Sequence, residues 1–171
     1  MATFSESQRF RQWWLWVILA LALIVPLILT YVGISSTHQK PEMKDLLIGI
    51  SLPISIFVWV LLMRLDVDID ATGIKYRFVG FHFRQFEIDW NEINKAYIRE
   101  YSPIKEYGGW GLRVGLGGIG KAYNVSGNIG LQLELKTGKK VLFGTQRPDD
   151  IKALLEELAR NKVISRDMIK K

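Results

Sequence analysis

Two uncharged apolar stretches, residues 13–32 and 46–63, lie close together near the start of this chain, and no other feature limits its folding as strongly. The first holds 20 residues without a charge, the length an α-helix needs at about 1.5 Å per residue to cross about 30 Å of hydrocarbon. The second holds 18, and Arg64 and Leu65 can extend it by snorkelling. Together they predict a transmembrane helical hairpin over residues 13–64. Pro26 and Pro53 fall near the middle of the two stretches, which predicts kinked helices packed together so that freed carbonyls find partners. Gly49, Ser51 and Ser55 would let such neighbours approach closely. Neither stretch contains a charged residue or a histidine, which argues against an ion or proton pathway. A cleaved signal peptide fits less well. The first apolar run exceeds about 7–15 residues, no small-x-small cleavage site follows it, and a second apolar stretch comes soon after.

The basic flanks set an expected orientation. Arg9 and Arg11 precede the first stretch and Arg64, Lys75 and Arg77 follow the second, while the connecting loop holds Lys40 and Lys44 beside Glu42 and Asp45. That bias predicts an integral protein of the bacterial plasma membrane, with both termini and the C-terminal domain on the cytoplasmic side. Trp13, Trp14, Trp16 and Trp59 would then share one interface and Tyr31 would mark the other. The absence of cysteine fits a cytoplasmic domain and removes disulfide and thiol chemistry. Of the formal net charge of +6, most lies after the apolar stretches, where residues 64–171 hold 19 Lys/Arg against 14 Asp/Glu, a net of +5. Such an excess helps a domain lie against anionic headgroups. The charges are scattered, however, and no cluster points to nucleic acid.

From Leu65 onward the apolar spacing changes from helical to alternating. Leu65, Val67 and Ile69 alternate with three aspartates, Ala71-Thr72-Gly73 turns, and Ile74, Tyr76 and Phe78 alternate with Lys75 and Arg77. This predicts a hairpin with one apolar face. Residues 83–89, 93–101 and 110–114 read as further strands, and Leu131, Leu133 and Leu135 lead through Lys136-Thr137-Gly138-Lys139 to Val141, Leu142 and Phe143. A small antiparallel sandwich or barrel is expected. The spacing turns helical once more: Pro148 suits a first helical position, Asp149 and Asp150 complement the dipole, and Ile151, Leu154, Leu155 and Leu158 form one stripe, with Asn161 as a stop. The expected division is a segment 1–12, the hairpin 13–64, a β domain 65–161 and a basic tail 162–171.

About seven antiparallel strands capped by one C-terminal α-helix is the build of a pleckstrin-homology-like domain. The chain resembles the bacterial PH-domain membrane proteins, in which a transmembrane hairpin precedes such a domain. The resemblance runs over nearly the whole length. It is carried by Tyr107-Gly108-Gly109-Trp110-Gly111-Leu112-Arg113, by Ala122-Tyr123-Asn124-Val125-Ser126-Gly127-Asn128, by Gly130-Leu131-Gln132-Leu133-Glu134-Leu135, and by the run from Lys139 to Pro148 that enters the helix. It implies a scaffold or protein–protein interaction role at a membrane and no defined activity.

Several motifs that look chemical fail on context. Gly115, Gly117 and Gly120 spell G-x-G-x-x-G, and residues 115–121 spell G-x-x-x-x-G-K. Both patterns need a following helix N-terminus, and Ala122-Tyr123-Asn124-Val125 is not helical in pattern. Ala122 also stands where a P-loop needs a hydroxyl. Asp66, Asp68 and Asp70 miss calcium-loop spacing, since Ala71 and Arg77 occupy the glycine and glutamate positions. His38 and His82 lie in different regions and share no zinc site. Asn124-Val125-Ser126 is a glycosylation sequon only in a secretory lumen. No catalytic residue, cofactor or metal is assigned, and an enzyme is not expected.

The residues most open to a functional reading are Trp110, Arg113, Lys121 and Tyr123, in or beside the glycine-rich segment. Their types are those favoured at binding hot spots, although Trp110 also fits a core position. The function expected from the sequence is a non-catalytic interaction or scaffold module that positions a cytoplasmic domain at the membrane, with a protein partner or self-association. The alternative is binding of anionic lipid headgroups by the basic domain.

Overall fold

The structure is a computed structural model that describes residues 3–37 and 42–169. One compact unit holds Phe10–Met63 and the other holds the rest of the described chain. His38 and Lys40 lie outside the described residues.

The second unit is built from two sheets. The first has the order β1-β2-β3-β4, from β1 (Phe4–Arg9), β2 (Arg64–Ile69), β3 (Gly73–Val79) and β4 (Phe86–Asp89). The second runs β5-β8-β9-β7-β6, from β5 (Ile93–Glu100), β6 (Gly111–Gly115), β7 (Gly120–Asn124), β8 (Ile129–Leu135) and β9 (Lys140–Gly144). The apolar alternation read from sequence fills one core. Leu65, Val67, Ile69, Ile74 and Phe78 of the first sheet are buried, as are Ala96, Leu131, Leu133 and Phe143 of the second. Helix α4 (Pro148–Arg160) buries the stripe Ile151, Leu154, Leu155 and Leu158, with Asp149 and Asp150 in its first turn and Arg160 in its last, as the dipole favours.

β1 is the strand the sequence does not announce. It pairs antiparallel with β2 along its whole length, from Phe4 opposite Ile69 to Arg9 opposite Arg64. Its inward face is Phe4, Glu6 and Gln8, all buried. Glu6 accepts from the Thr145 hydroxyl at 2.7 Å and the Gln146 N–H at 2.9 Å, and the Gln8 amide donates to the Gly144 carbonyl at 2.7 Å. Two polar side chains therefore satisfy the backbone where β9 turns into α4. The outer face of the same sheet is a charge ladder: Ser7, Arg64 and Arg77 contact Asp66, Ser5 donates to Asp68, and Lys75 contacts Asp70. The three aspartates are thus held by cross-strand partners.

The apolar stretches form α1 (Trp13–Thr37) and α2 (Met43–Leu62), with Pro26 and Pro53 inside them. Trp16 meets Phe57 edge-on at 5.8 Å, Leu19 is buried, and Ser55 back-bonds to the Leu52 carbonyl at 2.8 Å. A β-carbon on Gly49 would meet nothing within 4 Å, so this glycine is not at a close helix contact. The expectation of a transmembrane hairpin is corrected here. Among the described residues, no helix is long and apolar enough to cross a membrane. The integral-membrane assignment and the plasma-membrane location that rested on it fall with it. The fold class also changes in detail. It is a mainly-β two-sheet fold with four α-helices and nine strands among the described residues, and β7 runs parallel to β9. The count rises from about seven to nine because β1 enters from before the helices and β7 forms after the glycine-rich turn, and the parallel pair arises because β7 slots between β9 and β6.

Candidate functional site

Trp110, Arg113, Lys121 and Tyr123 all fall on or beside the β6–β7 hairpin at one end of the five-stranded sheet, but not on one surface. Arg113 stands opposite Ala122, Val114 opposite Lys121, and Leu112 opposite Tyr123. Successive strand residues alternate faces, so Lys121, Tyr123, Leu112 and Val114 share one face and Arg113 takes the other. Trp110 is half-buried ahead of β6, where its indole N–H donates to the Gly127 carbonyl at 3.1 Å. Arg113 Nε donates to the Trp110 carbonyl at 2.9 Å. The structure therefore joins Arg113 to Trp110 and Lys121 to Tyr123 without gathering all four. The glycines between them make a hairpin turn. A β-carbon on Gly120 would fall 2.1 Å from the Lys140 carbonyl oxygen, so glycine there lets β7 lie against β9. No helix follows, and the turn offers no helix N-terminus to a phosphate.

Tyr123 is buried and belongs to a cluster of rings. It stacks on Phe143 with centroids 5.4 Å apart and tilts against Tyr76 at 4.9 Å. Burial, reinforced by a hydrogen bond with Tyr76, pushes its phenol well above the ordinary range. Phe86 stacks on Tyr76 at 5.7 Å, and His82 meets Phe86 edge-on at 4.8 Å. These contacts fix the base of the connection between β3 and β4. Its start is a tight turn, in which the N–H groups of Phe81 and His82 both donate to the Phe78 carbonyl. His82 Nδ1 lies 3.2 Å from the Arg84 carbonyl oxygen.

What this base holds up is apolar and open to solvent. Phe83 is 84% exposed, and Phe81 and Phe86 are each 43% exposed. Val114, on the same face as Lys121, is 70% exposed. Arg84 and Lys121 are exposed cations. The strand expected over residues 83–89 begins only at Phe86. Three phenylalanines within six residues after Gly80 were the available signal.

A second polar cluster lies on the outer face of the five-stranded sheet. Helix α3 (Pro103–Tyr107) folds across it, packing Tyr107 with Tyr101, Ala122 and Leu142. Arg99 donates to Gln132 at 3.0 Å, to Glu106 at 2.8 Å and to the Tyr107 hydroxyl at 3.2 Å, while Glu106 also accepts from the Ser102 N–H at 2.7 Å. Arg99 holds the Glu106 carboxyl below the usual carboxylate range. Burial pushes the Tyr101 phenol up to about 12, against the hydrogen bond from Asn124. Each of these groups spends its polar capacity on the fold, and together they pin α3. Among the described residues no group of three or more histidine or acidic side chains could hold a metal ion.

The acidic groups make a pH prediction. Burial would raise Asp66, but hydrogen bonds from Ser7 and Arg77 and the Arg64 charge outweigh it and leave its pKa lowered. Asp70 is lowered chiefly by Thr72 and Lys75. Depressed carboxylates contribute stability that is present above their unfolded values, 3.8 for aspartate and 4.5 for glutamate, and is lost as pH falls through the folded ones. The urea midpoint should therefore fall progressively once the pH drops below about 4. A midpoint that holds constant down to about pH 2 would contradict the pairing.

No family model and no curated protein matches this chain. The case for a function therefore stands on the geometry above.

Proposed function

We propose that the β domain is a PH-like, non-catalytic interaction module and that the aromatic loop between β3 and β4 is where it meets a protein partner. The observation that carries this reading is Phe83, 84% exposed on a loop whose base is held by packed rings. Leaving a phenylalanine in water forgoes about 1.5–3 kcal/mol of burial, and a preformed loop loses little further entropy when a partner covers it. Phe81 and Phe86 are partly exposed on the same loop and the exposed Arg84 follows Phe83 directly, so a cation borders the apolar residues. The two sheets closed by α4 support the PH-like comparison. Trp110 and Arg113 lie at the start of β6 and are assigned here to holding the β6–β7 hairpin.

Full-length protein carrying Phe83→Asp should keep its thermal midpoint, since an exposed substitution changes stability by about 0.5 kcal/mol or less. It should lose the stoichiometric protein that co-purifies with the natural chain. If Phe83→Asp retains that protein while Trp110→Ala loses it, the contact surface lies at β6 instead.

The exposed Arg84 next to Phe83 favours one second reading, contact with anionic lipid headgroups. It predicts that full-length protein binds anionic vesicles in a salt-sensitive way, and that Arg84→Glu and Phe83→Asp each weaken this binding. Binding that is unchanged in both variants removes the reading.

A further inference from the structure

Helix α4 ends in a common turn that carries an uncommon residue. The Lys162 N–H donates to the Ala159 carbonyl at 3.2 Å and the Val163 N–H to the Leu158 carbonyl at 2.9 Å. This pair of bonds closes a Schellman turn, whose left-handed position usually holds glycine. Here that position is Lys162, with φ 58°, the one described non-glycine residue with positive φ. Any side chain there is strained, because its β-carbon crowds the backbone. Nothing in the fold requires the lysine. Its side chain is exposed and, among the described residues, makes no hydrogen bond or ion pair.

The residues around it supply a reason. Lys162 lines an open cavity of about 540 Å³ together with Arg160, Ser165 and Arg166, and the buried Ile164 anchors the segment between them. Arg64, Arg77, Arg99, Arg113 and Arg147 each donate to an acceptor of the protein. Among the described residues, the Arg160 and Arg166 guanidiniums donate to none. No acidic side chain lines the cavity, and Glu156, which shares a neighbouring groove with both arginines, pairs with neither. Ser165 Oγ accepts from the Asp167 N–H at 3.3 Å, which leaves its own hydrogen for another acceptor. Helix-dipole complementarity accounts for Arg160 in the last turn. It does not account for a lysine in the left-handed position, or for Arg166 beyond the helix.

We propose that this cavity binds a multiply charged phosphate group, with Arg160, Lys162 and Arg166 as its counter-charges and the Ser165 hydroxyl as a neutral donor. The planar fork of arginine fits phosphate oxygens two at a time, and an ammonium adds a point charge. Backbone strain persists at sites that need it for function, at the expense of stability. Lys162 places a charge where glycine would make the better turn. The same chemistry serves a free phosphorylated solute or a phosphate headgroup. The site is separate from the aromatic loop and stands whether or not that loop meets a partner.

The test titrates inorganic pyrophosphate into the full-length protein by calorimetry. The same proteins are pelleted with vesicles of phosphatidylcholine, with and without phosphatidic acid. The natural chain should bind one of these phosphate probes saturably. Arg160→Gln combined with Arg166→Gln should weaken that binding at least about tenfold. Lys139→Gln combined with Lys152→Gln removes the same charge elsewhere and should leave it unchanged. Lys162→Gly separates a ligand role from a structural one: it should weaken binding yet raise the thermal midpoint by about 2–4 °C. Pyrophosphate binding that the vesicles do not share identifies a free phosphorylated solute. Binding confined to phosphatidic acid vesicles and lost in the arginine pair identifies a lipid phosphate. The proposal is overturned if neither probe binds saturably, or if the lysine pair weakens binding as much as the arginine pair. It also falls if Lys162→Gly binds as tightly as the natural chain, or if its midpoint drops, since the lysine then serves the turn.

Discussion

A chain that begins at Arg64 should fail to hold the native β fold, even though it contains eight of the nine strands described here. Removing β1 strips β2 of its antiparallel partner over six paired positions and leaves Leu65, Val67 and Ile69 on a sheet edge. The burial of Phe4 goes with it, at about 1.5–3 kcal/mol. The loss of Glu6 and Gln8 leaves the Thr145 hydroxyl, the Gln146 N–H and the Gly144 carbonyl without their partners. Each abandoned buried group costs about 1–3 kcal/mol. Even with partial rescue by water, the sum is comparable with the roughly 5–15 kcal/mol that holds a domain together. The measurement is the urea unfolding curve of that fragment, with amide dispersion in its NMR spectrum. A cooperative transition close to that of the whole protein would contradict the role given to β1.

The same register makes the complementary prediction. Arg9 and Arg64 are direct cross-strand partners, so residues 10–63 occupy the place of a hairpin turn. A chain in which a short Asn-Gly turn joins Arg9 to Arg64 should fold cooperatively, because such turns match the twist of antiparallel strands.

The physical reason β1 stays hidden in the sequence is the reason it matters. Sequence patterns reveal strands through an apolar face, and the inward face of Phe4–Arg9 is one phenylalanine, one glutamate and one glutamine. Glu6 and Gln8 are buried because groups about 140 residues away receive them; no local window contains that information. β2, β3, β8 and α4 were legible for the opposite reason, since Leu65 to Ile69, Ile74 to Phe78, Leu131 to Leu135 and the stripe from Ile151 to Leu158 each carry their own period. Helix α3 spans only Pro103–Tyr107, too short to show one. Its signals are the Ser102 cap, Pro103 at the first position and the left-handed Gly108 that ends it. The aromatic cluster was only half visible. Tyr123 stands in the sequence as a strand residue of β7, but the rings it meets, Tyr76 and His82, and Phe86 stacked on Tyr76, arrive from the other sheet and its loop, and no local window joins them. The apolar stretches illustrate a further limit: they read correctly as helices, but among the described residues neither helix is long and apolar enough to cross a membrane.

Phe143→Ala should separate what supports the aromatic loop from what the loop contacts. Phe143 is 1% exposed, stacked on Tyr123 and tilted 4.9 Å from Tyr76. It also lies opposite Leu131 on β8 and Tyr123 on β7, so its ring touches the centre of the five-stranded sheet. Truncating a buried phenylalanine costs about 3–5 kcal/mol through lost transfer energy and the cavity left behind. For a domain of this size that is a fall of roughly 12–20 °C in thermal midpoint, at about 4 °C per kcal/mol. Tyr76 then loses one of the rings that hold it under Phe86, and the base of the Phe81–Phe86 loop loosens with it. Partner binding should weaken in Phe143→Ala at temperatures where the protein is still folded, because the loop must then be ordered at the moment of binding. Phe83→Asp should do the reverse, losing the partner with the midpoint unchanged. The pair discriminates because one ring is buried beneath the loop and the other stands on it. A Phe143→Ala protein that loses less than about 1 kcal/mol would mean that Tyr76 and Tyr123 collapse into the space, and the loop would then owe its position to the Phe78 turn alone.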